Sequence, residues 1–236
     1  MRIAAHVLTV IGLLCLVSGM VWSTPSTTYW TPATLDIQPV GLTHVTYDTY
    51  TTIGKDPGED FPTTYGLTWG AKLGSKLAAE FGFDYLAPSS DPWLLNAKVG
   101  YPENTLSANA PAVQVGFFNF GSLKQNIVDL LIGKSLPNGQ GRLTAAYYAG
   151  SSSELRSSSG EKENTGFMLA YDRVIIPDKV IFAADYASGD NAIGGGGVGL
   201  YYYFNKSTSL LVGPVWFNDK GINGDMKWTV QLDINF

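Results

Sequence analysis

Apolar and polar residues alternate along most of this chain with a period of two. The plainest case is the last ten residues, where Trp228, Val230, Leu232, Ile234 and Phe236 interleave with Lys227, Thr229, Gln231, Asp233 and Asn235. Successive side chains of a strand point to opposite faces, so this pattern makes a strand with one apolar and one polar side. Comparable stretches lie at residues 41–53, 65–73, 77–86, 93–101, 112–120, 125–136, 141–149, 165–174, 180–187, 193–204 and 208–217, which makes twelve with the last. Two of them also fit a helix: Leu73, Leu77, Phe81 and Tyr85 are spaced four apart, and residues 126–136 hold a compact apolar cluster. Gly70, Gly74 and Gly82 weaken the helix in the first, where Leu77, Ala79, Phe81, Phe83 and Tyr85 alternate with Ala78, Glu80, Gly82 and Asp84.

The connections between these stretches sort by length. Those at 55–64 and 150–164 are polar and long, while those at 74–76, 137–140, 176–179 and 205–207 are brief turns. Long loops at one end and short turns at the other are the pattern of an outer-membrane barrel. The connection 102–111 is longer than this rule predicts. At the N-terminus, Arg2, the apolar stretch 7–17 and Val21-Trp22-Ser23 predict a cleaved export signal over residues 1–23, with an uncleaved anchor as the alternative. Leu13-Leu14 before Cys15 speaks against lipidation. Past residue 23 no run of eighteen apolar residues occurs, so no membrane-spanning helix is expected. The expected division is signal peptide 1–23, an N-terminal periplasmic segment or plug at 24–38, and a barrel over 39–236.

A soluble β-sandwich alternates too. Three features favour a membrane barrel: export, an even strand count, and aromatic residues gathered toward strand ends, among them Tyr65, Trp69, Trp93, Tyr101, Tyr186, Trp216 and Trp228. The final strand, ending on Phe236, resembles the C-terminal signal by which bacterial outer-membrane β-barrels are handed to their assembly machinery. In strand number and size the chain resembles small twelve-stranded barrels, a group that includes narrow channels for nucleosides and acidic sugars and also phospholipid- or lipopolysaccharide-cleaving enzymes. The resemblance implies an all-β antiparallel transmembrane barrel in a Gram-negative outer membrane, touching lipid and lipopolysaccharide, with Trp228, Val230, Leu232, Ile234 and Phe236 as the assembly signal. It leaves function to the lumen.

Composition narrows that function. The chain has 236 residues, 45% hydrophobic and 15% charged, which is too apolar for disorder. With 15 basic and 20 acidic residues the net charge is −5, against the concentrated basic surface that nucleic-acid binding needs. One cysteine and two histidines leave little for a disulfide or a transition metal, so neither metal nor cofactor is expected. The run Gly194–Gly197 lacks the lysine of a phosphate loop, and Gly133-Lys134-Ser135 has Val128 where such a loop needs glycine. Loop acids such as Asp56, Glu59, Asp60, Asp219 and Asp225 could bridge lipopolysaccharide through divalent cations or simply be solvated.

If the apolar parity marks the lipid face, the opposite parity lines the lumen, and those residues are nearly all polar or small. The expected lining charges are Asp48, Lys72, Glu80, Asp84, Lys98, Asp129, Arg142, Asp172, Asp185 and Asp233. Antiparallel order puts Lys72, Glu80 and Lys98 in the periplasmic half and Arg142 beside Asp172. It also puts Asp48, Asp84, Asp129 and Asp185 toward an acidic outer vestibule with Lys227 as the main base. Acidic linings favour cations. Inward Gly195, Gly197 and Gly199 would open space for a substrate or let a plug approach. A Ser/His hydrolase would need His44, whose parity points inward, toward a hydrogen bond with Asp233, rather than to lipid. The sequence therefore predicts a non-catalytic, narrow passive channel for small polar solutes with a cation-favouring outer vestibule. The alternative is a closed barrel that binds surface ligands through its long loops, with a lipid-active enzyme less favoured. Solute and oligomeric state stay open.

Overall fold

A computed structural model describes residues 27–53, 60–121 and 126–236. The expected signal over 1–23, with Cys15, and the loop acids Asp56 and Glu59 lie outside these residues. Twelve strands form in chain order: β1 Thr43–Thr51, β2 Thr63–Leu73, β3 Leu77–Ala87, β4 Trp93–Tyr101, β5 Ala112–Gly121, β6 Ile127–Ser135, β7 Arg142–Gly150, β8 Thr165–Ile176, β9 Val180–Ala187, β10 Gly195–Asn205, β11 Thr208–Phe217 and β12 Lys227–Asn235. Each pairs antiparallel with its neighbours in sequence, and β1 pairs with β12, so the sheet closes and has no edge. At that seam Tyr47 faces Leu232 and Asp48 faces Gln231, and the main chain of Phe236 exchanges two hydrogen bonds with Thr43 (2.9 and 3.2 Å).

The strand bounds differ from the sequence expectation by a few residues, chiefly at β1, which ends at Thr51, β8, which runs on to Ile176, and β10, which starts at Gly195. Both segments that also fit a helix are strands. The long connection 102–111 is a compact loop that docks on the neighbouring hairpin. Glu103 accepts from the Ser135 amide (3.1 Å) and hydroxyl (2.7 Å), and Lys134 donates to the Asn109 carbonyl.

Outside, the wall is apolar: Leu130 and Tyr147 are each 59% exposed, and Leu95, Ile132, Leu169, Leu200 and Val230 are exposed with them. Aromatic residues pair across strands on this face, as in Tyr85 with Trp93 (centroids 4.9 Å) and Tyr47 with Tyr65 (5.4 Å). Inside, the expectation of an almost wholly polar lining fails on one half. There Ile127, Leu131, Met168, Leu211, Val215 and Phe217 point inward and are buried. This explains the compact apolar cluster of β6: Val128, Leu130 and Ile132 face out while Ile127 and Leu131 face a packed interior.

Candidate functional site: the lumen and its N-terminal segment

Residues 27–38 lie inside the barrel, against the apolar half of the wall. Ala33 and Leu35 join one interior cluster with Leu131, Tyr148, Leu155 and Met168, and Tyr29 joins a second with Tyr201, Leu211, Val215 and Phe217. Burial of these side chains draws the segment out of water. Polar contacts then fix its position.

Asp185 on β9 receives the chain at residues 29–31. Its Oδ2 accepts from the amides of Tyr29 (3.0 Å), Trp30 (2.9 Å) and Thr31 (2.7 Å) and from the Thr31 hydroxyl (2.9 Å). Successive N–H groups converging on one anion make a charge-assisted nest. The Tyr29 ring rests on Gly197, Gly199 and Gly213: a Cβ at the first two would come within 2.1 and 2.4 Å of ring carbons, and one at the third within 2.7 Å of its hydroxyl. That hydroxyl donates to the Pro214 carbonyl (3.0 Å). Trp30 donates through Nε1 to the Ile193 carbonyl (2.9 Å) and packs edge-on against Tyr50 and Phe217.

At the other end, Arg142 grips Asp36 with both terminal nitrogens (2.7 and 2.8 Å) and holds Asp172 through Nε (2.8 Å). Gln114 donates to the Leu35 carbonyl (2.7 Å), Lys98 to the Asp36 carbonyl (3.1 Å), and the Gln38 amide to Glu80 (2.7 Å). Lys98 also pairs with Glu80 at 3.6 Å.

The expected lining residues therefore divide. Asp48, Glu80, Asp84 and Asp233, with His44, line a cavity of about 510 Å³ bounded by β1–β4 and β12 on one side and by Thr27, Trp30 and Pro32 on the other. In it Asp48 accepts from Thr46 (2.6 Å) and Asp84 from Asn96 (2.6 Å). His44 lies 3.3 Å from Asp233 and 2.7 Å from Asn235, which is the inward role its parity implied. Asp129 and Asp185 are not gathered with Asp48 and Asp84. Asp129 is buried and accepts from the Gly116 amide (3.0 Å), and Asp185 is covered by the segment. Lys227, expected as the base of the vestibule, is buried with Nζ on Thr52 (3.1 Å) and over the Phe61 ring (4.7 Å). Arg142 and Asp172 line a second cavity, of about 590 Å³, with Asp36, Thr28 and Thr34. Lys72 is exposed near the end of β2.

Among the loops, Asp60 accepts from the Thr52 amide (2.7 Å) and Asp225 pairs with Lys220 (3.2 Å). Asp219 caps the short helix Lys220–Asn223 through the Gly221 amide (2.8 Å) and also takes the Ser158 amide (2.7 Å), tying two outer loops together. These amides hold its carboxyl below the usual carboxylate range. No group of three possible metal ligands occurs among the described residues.

Tyr29, Trp30, Thr31 and Asp36 carry the segment's main contacts, yet their pattern in the sequence is featureless. The legible signals lay in the wall: glycines at 197, 199 and 213 that leave a slot, and large apolar side chains on the inward parity of β6, β8 and β11.

No protein-family model matches the chain and no curated protein matches its sequence. Its fold is similar to those of solved porins. A KdgM porin aligns with a TM-score of 0.54 at 10% identity, over 83% of this chain and 99% of that one. The KdgM porin in complex with disordered oligogalacturonate gives 0.54 at 11% identity over 83% and 99%. The NanC porin gives 0.50 at 11% identity over 83% and 98%. The shared feature is the closed antiparallel barrel.

Proposed function

We propose that this chain is a narrow, passive, non-catalytic channel of the bacterial outer membrane, through which small polar solutes pass and cations pass preferentially. The observation that carries the reading is the cavity along β1–β4 and β12, lined by Asp48, Asp84 and Asp233, within a closed barrel whose outer face is apolar. The membrane location is supported by that face and by the fold shared with porins. The preference is argued from charge: Asp48 and Asp84 line the cavity, where Glu80 is paired with Lys98 and Asp233 faces His44. The field of Asp48 and Asp84 lowers the energy of a cation and raises that of an anion. The solved complex of the KdgM porin contains oligogalacturonate, an acidic oligosaccharide, and supports solute passage as the role of such a barrel. The acid-rich wall here favours a solute of the opposite sign. The lipid-active enzyme is disfavoured because the His44 ring faces Asp233 and Asn235 inside the wall.

The test is the reversal potential in a planar bilayer under a salt gradient. Asp48→Asn with Asp84→Asn should move it toward anion permeability, more at low ionic strength, where screening is weaker. Conductance indifferent to both replacements would sink the charge preference. A purified chain that stays monomeric without detergent would sink the membrane reading. A second reading, a closed interaction barrel, draws on the bound segment 27–38, and silence of every variant in the bilayer would favour it.

A further inference from the structure

The wall beneath residues 27–38 binds mainly the features that any peptide has. Asp185 takes three successive amides. Carbonyls of the segment are taken at residue 28 by the Tyr201 hydroxyl (3.1 Å), at residue 29 by Gln231 (3.0 Å), at residue 35 by Gln114 (2.7 Å) and at residue 36 by Lys98 (3.1 Å). The side-chain contacts are fewer and selective. The glycine slot admits a flat ring at position 29, Tyr50 and Phe217 flank a second ring at position 30, and the Arg142 fork takes a carboxylate at position 36.

The segment also separates the two cavities. Thr27, Trp30 and Pro32 face the one of about 510 Å³, while Thr28, Thr34 and Asp36 face the one of about 590 Å³. The described segment joins the wall at β1 through residues 39–42, and its other contacts are hydrogen bonds, one ion pair and packing, all reversible.

We propose that residues 27–38 are an internal gate, seated in a lumen site that recognises extended peptide: the barrel conducts freely when the segment leaves, and the vacated site takes a free peptide of the same chemistry, two adjacent aromatic residues followed by a carboxylate. The proposal rests on the channel reading above. It goes further in naming what closes the channel and what class of ligand can close it.

The experiment compares the full chain with Tyr29→Ala/Asp36→Asn, which removes two anchors of the segment and leaves the wall intact. Folding is checked by retention of the compact band on an unheated gel, and release of the segment by its susceptibility to added protease. The variant should conduct about tenfold more of the time than the unaltered chain. A synthetic peptide of residues 27–38 added on the periplasmic side should restore the block, a scrambled peptide should not, and Asp185→Asn in the same background should weaken the block by about tenfold. If the double variant does not fold, Asp36→Asn alone should give a smaller rise in the same direction. Equal conductance with and without the anchors would overturn the gate while leaving the channel standing. Block by the scrambled peptide as well as by the native one would overturn the peptide site. A released segment without conductance in any variant would overturn the channel reading and the gate together.

Discussion

Glu80 and Lys98 sit 4% and 2% exposed, so each depends on the other's presence. A buried charge left without its counter-charge carries its full desolvation cost, whereas apolar replacement of both removes that cost together with the attraction. Glu80→Leu alone should therefore destabilise the barrel by about 3–5 kcal/mol in denaturant unfolding, and adding Lys98→Met should recover a large part of the loss. Asp219 shows a different economy at the surface. The Ser158 amide, then the helix-cap amides, hold its carboxyl low, so the carboxylate is the bound form. A group whose folded pKa is depressed contributes its stabilisation above its ordinary pKa and loses it as the pH falls through the depressed value. Hydrogen exchange at the Ser158 amide should stay slow at neutral pH and accelerate only under acid. In Asp219→Ala exchange should be fast throughout, and a slow neutral-pH rate in that variant would show the tether to be unimportant.

Strand β12 was legible in the sequence because its outward side chains meet lipid and its inward ones meet polar atoms, so period and environment agree. Val230→Arg or Leu232→Arg should cost about 2–4 kcal/mol in vesicle unfolding, while Thr46→Arg, which faces the polar cavity from β1, should cost far less. Deleting Phe236 removes the two main-chain bonds that finish the seam with Thr43 and should lower the yield of heat-modifiable folded protein. Strand β6 was harder to read. Apart from Asp129 its two faces are both apolar, one toward lipid and one toward the segment's Leu35, so period-two contrast is weak and a helix fits as well. The same physics hid the contacts of the segment, although a plug at 24–38 was one of the two roles the sequence offered for it. Its contacts are largely main-chain amides and carbonyls, which leave no residue signature, and its partners lie up to 202 positions away. His44 with Asp233, and Arg142 with Asp172, were legible because adjacent strands in simple order fix which inward residues are neighbours.

For the molecule as a whole, the segment turns a symmetric closed sheet into an asymmetric body. The half built from β5–β11 holds both apolar clusters around the segment, with the second cavity beside them, and the half built from β1–β4 and β12 keeps the acid-lined cavity. Loss of the segment should therefore loosen β6–β11 more than β1–β4, and hydrogen exchange resolved by strand on the Tyr29→Ala/Asp36→Asn chain would register the difference. The seat of the segment also has a history in time. Asp185, the glycine slot and Gln231 lie on β9–β12, the last strands to be translated and exported, whereas residues 27–38 precede every strand. During assembly the seat of residues 28–31 must wait for the last strands, since Asp185, the glycine slot and Gln231 come together only when β9–β12 have paired. Loop closure across such a separation is slow. Protease accessibility of residues 27–38 in a pulse-chase should thus vanish together with closure of the β1–β12 seam, making the segment's disappearance from solution a clock for the last step of folding.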